Sequence, residues 1–277
     1  MEINIFLAFL LMVDLHILEV SALTNMHIRV PEAVRIGETV TLVCDYDLES
    51  AALYTIKWYR NDEEFYRFVP KESPPSQTFD VPNINVDMHK SNTREVTLTN
   101  VERDTAGEFK CEVTADAPLF HTDIRMAKLL VAEIPEDGPV LKVEIQKITP
   151  GAELKANCTT PGSYPAMNVS WYINDIEMRS SFDVHIQKSI VHFDALPGLE
   201  TVQSTIIART TPDLFKNSKL KLRCLATMFT LYTSSREAEI QEDAPKLALI
   251  MVQNAHSNKV FQLCHPCRQQ IADSQEE

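Results

Sequence analysis

The sequence predicts an all-β chain of two tandem β-sandwiches, and three observations carry that expectation. Cysteine and tryptophan recur together in the order Cys–Trp–Cys: Cys44, Trp58 and Cys111, then Cys158, Trp171 and Cys224. Stretches around these cysteines alternate apolar and polar residues with the period of two that half-buried strands require. Glycine is scarce, six in 277 residues, and the closest two, Gly151 and Gly162, are 11 apart. Phosphate-cradling turns need two or three glycines within a few residues, so nucleotide-binding α/β enzymes are poor candidates.

The repeat has a physical reading. Cys44 and Cys111 are separated by 67 positions with Trp58 lying 14 after the first, and Cys158 and Cys224 by 66 with Trp171 lying 13 after. In an immunoglobulin-type sandwich, strands B and F face each other across two sheets about 10 Å apart, a disulfide bridges them, and a Trp on strand C fills the space beside the bridge. The two tryptophans of the chain both fall in this pattern. The expected architecture is two tandem immunoglobulin-like domains, residues 23–132 and 141–243, joined by 133–140.

In chain order, Ile5–Val13 is a nine-residue apolar run ended by Asp14. It is far short of the ~20 residues that cross a bilayer, and small residues follow at Ser21 and Ala22. Residues 1–22 are read as a signal peptide, although no Lys or Arg precedes Arg29. Its removal deletes Glu2, Asp14 and Glu19 and moves the net charge from −13 to −10. Such an acidic chain repels phosphate backbones, so nucleic acid is not an expected partner.

In the first domain, Glu38–Cys44 alternates as strand B, with Val40, Leu42 and Cys44 on one face, and Arg94–Val101 does so through Val96 and Leu98. Asp104–Cys111 (DTAGEFKC) resembles the immunoglobulin corner pattern with Phe109 in the Tyr position, where it can pack but cannot supply the corner hydroxyl. The 67-residue span leaves room for the extra strands C′ and C″, which makes this domain variable-type. In the second, Leu154–Cys158, Asn168–Tyr172, Thr201–Ala208 and Lys219–Leu225 read as strands B, C, E and F. Between the domains, Pro135, Gly138 and Pro139 mark a short connection that restrains rather than frees them.

Beyond the second domain, residues 244–277 read as a polar tail. Its best apolar run, Leu247–Val252, has six residues, too few for a transmembrane segment. Cys264-His265-Pro266-Cys267 has the spacing of a redox pair or of half a zinc site, but reads first as a small disulfide loop or free thiols in a polar tail. No Gly-x-Ser-x-Gly or His-Glu-x-x-His motif occurs, and the eight histidines are scattered. No catalytic residue, metal site, cofactor or small-molecule substrate is therefore expected. Two sequons, at Asn157 and Asn168, fall on outward positions of strands B and C, opposite in parity to Cys158 and Trp171.

Without chemistry, function must reside in a surface. Trp58 and Cys111 point inward, so Lys57 and Tyr59 on strand C and Lys110, Glu112 and Thr114 on strand F point outward from one sheet. Strand C′ runs Glu64-Phe65-Tyr66-Arg67-Phe68, and either parity directs a large aromatic away from the core. The expected partner-binding face is Lys57, Tyr59, Phe65, Tyr66, Arg67, Lys110, Glu112 and Thr114, with aromatics and Arg as anchors.

Tyr46–Glu49 (YDLE), Leu53–Phe68, Cys111–Phe120 (CEVTADAPLF) and Ala156–Pro161 (ANCTTP) resemble the beaten path family of insect neuronal proteins over about residues 25 to 240. That resemblance implies two immunoglobulin-like domains, heterophilic binding to immunoglobulin-superfamily receptors of the sidestep family, and a role in axon guidance and synaptic partner choice. It further implies that the front sheet of the first domain, where Lys57, Tyr59, Tyr66 and Glu112 lie, makes the contact. Two alternatives stand beside it: a secreted homophilic adhesion protein, and a secreted redox or metal protein that uses the Cys264–Cys267 tail.

Overall fold

A computed structural model describes residues 23–118, 120–192 and 198–243. The signal peptide, the Leu247–Val252 run and the Cys264–Cys267 motif lie outside the described residues. Domain 1 is built from β1 (Thr24–Arg29), β2 (Ala33–Arg35), β3 (Val40–Asp47), β4 (Leu53–Arg60), β5 (Glu63–Phe68), β6 (Ser76–Thr78), β7 (Glu95–Leu98), β8 (Gly107–Ala115) and β9 (Thr122–Ala132). These form a sheet β1-β3-β7 packed on a six-stranded sheet β2-β9-β8-β4-β5-β6. Strands β5 and β6 are the C′ and C″ strands expected of a variable-type sandwich.

Domain 2 comprises β10 (Val140–Val143), β11 (Lys147–Ile148), β12 (Glu153–Thr159), β13 (Asn168–Ile173), β14 (Ile176–Met178), β15 (Val184–His192), β16 (Glu200–Arg209), β17 (Lys219–Met228) and β18 (Tyr232–Glu242). Its sheets run β10-β12-β16-β15 and β11-β18-β17-β13-β14. The four strands expected from the sequence coincide with β12, β13, β16 and β17.

Each sandwich closes on its own disulfide. Cys44 and Cys111 are bonded with Cα atoms 6.4 Å apart, and Cys158 and Cys224 with Cα atoms 6.3 Å apart. Trp58 lies directly opposite Cys111 and Trp171 opposite Cys224, so each indole packs beside its bridge. All six side chains are fully buried. The two indoles differ in their polar edge: Trp171 Nε1 donates to Ser204 Oγ at 2.9 Å, whereas Trp58 Nε1 has no acceptor among the described residues.

The corner before β8 works without its usual hydroxyl. Glu102 N donates to Thr105 Oγ1 and Thr105 Oγ1 to Asn83 O, which ties down the short 3-10 turn Arg103–Thr105. Gly107 admits the side chain of Asn61: a Cβ there would stand 2.7 Å from Asn61 Oδ1, the acceptor for Glu108 N. Phe109 is buried and meets Phe65 edge-on, with ring centroids 6.0 Å apart.

The connection between the sandwiches is held at several points. Glu133 and Tyr164 exchange backbone hydrogen bonds of 2.7 and 2.9 Å. Ala132, Met167, Ala226 and Met228 form a small third core beneath Ile134, Phe229 and Leu231. Arg103 reaches across from domain 1, donating to Gly198 O at 2.9 Å, pairing with Glu133 at 2.5 Å and lying 4.6 Å over the Tyr164 ring. Arg35 adds a bond to Leu231 O.

Candidate binding face

The outer face of the six-stranded sheet is organised in rows set by strand register. Arg67, Lys57, Glu112 and Ile124 lie side by side on β5, β4, β8 and β9, and Glu64, Tyr59, Lys110 and Met126 form the next row. Beyond the first row, Thr114 and Thr122 share a hydroxyl hydrogen bond of 2.9 Å. The sequence places Lys57, Tyr59, Arg67, Lys110, Glu112 and Thr114 on this face, and the structure brings these six together.

Phe65 and Tyr66 are a correction: neither is on the face. Both are fully buried. Strict alternation fails here because the register against β4 shifts, Trp58 pairing with Tyr66 but Tyr59 with Glu64, so that Phe65 is an inserted residue. Such a bulge turns two consecutive side chains to the same side. Phe65 packs on Phe109, while the Tyr66 hydroxyl donates toward Ser76 Oγ and Asn92 O.

Charges on the face satisfy one another. Glu112 accepts from Lys57 Nζ at 3.1 Å and from the Tyr59 hydroxyl at 3.3 Å. Glu64 binds Arg67 through two oxygens, and Lys110 pairs with Asp62 and Glu108. Partial burial pushes the Lys57 ammonium down, but the hydrogen bond and charge of Glu112 outweigh it and hold its pKa above the ordinary lysine range. Burial and then the Glu112 charge raise the Tyr59 phenol. The acidic side chains that cross this sheet are thus internally paired.

What stands unpaired is apolar. Ile124 and Met126 on β9 are 44% and 56% exposed, next to Glu112 and Lys110. At the end of the sheet near Thr114, Tyr54 and Phe120 are 45% and 55% exposed and meet edge-on at 6.1 Å. Sequence reasoning missed all four. For β9 the signal was available: alternation outward from Thr122 gives Ile124 and Met126.

The sequon residues Asn157 and Asn168 are both exposed. Asn157 Oδ1 accepts from Thr205 Oγ1 and Asn168 Oδ1 from Lys188 Nζ. Among the described residues no group of three or more His, Cys, Asp or Glu side chains could hold a metal ion. No described helix is long and apolar enough to cross a membrane.

Two disulfide-centred sandwiches in series define a protein of two immunoglobulin-like domains. Residues 26–114 match the family model described as "Immunoglobulin domain", and residues 137–228 match "CD80-like C2-set immunoglobulin domain". Among curated proteins, the chain is similar to the muscle M-line assembly protein unc-89 of Caenorhabditis elegans, 23% identical over 161 residues. That stretch is 57% of this chain and spans 2% of the relative's length. Among solved structures, murine CEACAM1b superposes with a TM-score of 0.53 at 14% identity, covering 79% of this chain and 99% of that one. One chain of the crystal structure of mouse coronavirus receptor-binding domain complexed with its murine receptor gives a TM-score of 0.51 at 13% identity, again covering 79% and 99%. These likenesses are of fold. Proteins built from such domains are in general non-enzymatic, and intact disulfides fit an oxidising, extracellular environment.

Proposed function

We infer that this chain is a non-enzymatic extracellular recognition protein that docks the front face of its first domain onto an immunoglobulin-superfamily cell-surface receptor. The carrying observation is the pairing of an exposed Ile124–Met126 stripe with charges already neutralised within the sheet. A partner covering this face gains apolar burial without stranding an ion, because Lys57, Arg67 and Lys110 keep their carboxylates. Tyr59, half-buried and hydrogen-bonded to Glu112, is the preorganised aromatic anchor.

The resemblance to the beaten path family supports a sidestep-like receptor and a role in axon guidance and synaptic partner choice. Secretion through residues 1–22 and glycans on Asn168 and Asn157 complete the reading. The test is a binding screen of the secreted chain against immunoglobulin-superfamily ectodomains, repeated with the Tyr59→Ala, Met126→Ser double variant. Binding lost at an unchanged melting temperature is the expected result. Undiminished binding by the variant overturns the assignment of the face.

A further inference from the structure

Strand β15 is the outer strand of its sheet and pairs on one side only, with β16. Every other edge strand among the described residues is short: six residues in β1, four in β7 and β10, three in β2, β6 and β14, two in β11. β15 has nine, all in unbroken register with β16 from Val184 to His192. A long, regular edge without Pro or bulge, and with one lysine, is what folds ordinarily avoid, because its free N–H and C=O groups invite another strand.

Hydrogen bonds identify which groups are free. Arg209 N donates to Asp183 O, so the odd-numbered residues of β15 face β16. On the even-numbered side, Val184 O accepts from Ser181 N and Ile186 N donates to Ser180 Oγ. From Ile186 O to His192 the edge has no partner strand among the described residues. Ile190 stands there 55% exposed.

We propose that β15 pairs antiparallel with β15 of a second copy of this chain, joining two four-stranded sheets across a two-fold axis at Ser189. Only even residues can exchange bonds, which restricts the axis to a few positions. An axis at Lys188 sets Lys188 against its own copy, and one at Ile190 leaves Ile186 unpaired. The axis at Ser189 uses the whole free stretch: Lys188 lies opposite Ile190 of the second copy, and Ile186 opposite His192. It also brings the two exposed Ile190 side chains into diagonal contact, close to Ile186.

The test is sedimentation equilibrium of the disulfide-bonded secreted chain, before and after enzymatic removal of N-linked glycans, since Lys188 touches Asn168 at the rim of this edge. A concentration-dependent dimer in either form is expected. Ile190→Pro removes an outward N–H and no bond to β16, so the domain folds while self-association weakens about tenfold or more. Ile190→Lys sets like charges opposite each other and abolishes the dimer, and adding Lys188→Glu restores it. A chain that stays monomeric in both glycan states overturns the proposal. A dimer that withstands Ile190→Pro overturns it as well, including one that Met126→Ser disperses, which would place the contact on the front face.

Discussion

Arg67 grips Glu64 through two parallel bonds, Nε to Oε1 at 2.7 Å and Nη2 to Oε2 at 3.0 Å, although the two residues are three apart on one strand. A regular strand sends such residues to opposite faces. Here the inserted Phe65 resets the alternation, so the flanking charges share the outer face while Phe65 and Tyr66 share the core. One bulge thus supplies the packing that Phe109 requires and the charge pair that borders the binding face.

The first prediction separates fold from face. Tyr66→Ala empties a fully buried site and cuts the bonds to Ser76 and Asn92, at a cost of about 3–5 kcal/mol. Tyr59→Ala removes a half-exposed ring and costs under about 1 kcal/mol. Urea denaturation of the two variants measures the difference. Equal midpoints would show that Tyr66 does not support the core.

Ser204→Ala leaves the Trp171 N–H buried without its acceptor. A loss of about 1–3 kcal/mol in the unfolding of the second domain is expected, followed by near-ultraviolet circular dichroism of the indole. Ser204→Thr, which keeps the hydroxyl, recovers part of that loss.

Arg103→Ala removes the bond to Gly198, the ion pair with Glu133 and the contact with the Tyr164 ring together. Small-angle scattering of the variant should show a broader spread of interdomain distances. The melting of each sandwich should hardly move, because Arg103 is not part of either core. An unchanged scattering profile would assign the restraint to the Glu133–Tyr164 backbone bonds, the Arg35–Leu231 bond and the Met167–Met228 cluster.

Alkaline pH should loosen the first domain. Burial holds the phenols of Tyr46 and Tyr66 protonated above their ordinary value of 10.0, partly offset by their hydrogen bonds to Thr93 and Ser76. The folded pKa exceeds the unfolded one, so this contribution is intact below pH 10.0 and is lost as pH rises through the raised folded values. Denaturant midpoints measured from neutral to above pH 10.0 should fall, and Tyr66→Phe should flatten the decline.

Much of this architecture was legible from residue order. The Cys–Trp–Cys repeat located both bridges and both indoles because three side chains that meet in space must keep fixed spacings along strands B, C and F. Alternation placed Lys57, Tyr59, Lys110 and Glu112 correctly because β4 and β8 are regular over those residues. It failed at Phe65 and Tyr66 because a bulge leaves no mark in periodicity, and both parities of a run such as EFYRF look plausible. The free edge of β15 was equally invisible, since whether a strand has one neighbour or two is a property of the sheet.

The clasp that Arg103 makes between the sandwiches turns the chain into a single lever. A receptor that seats itself on Tyr59 and Met126 also fixes the heading of the second domain, and with it the direction in which the β15 edge is offered to its second copy. Contact at one end would then set the angle at which the closed pair of copies holds its two receptors.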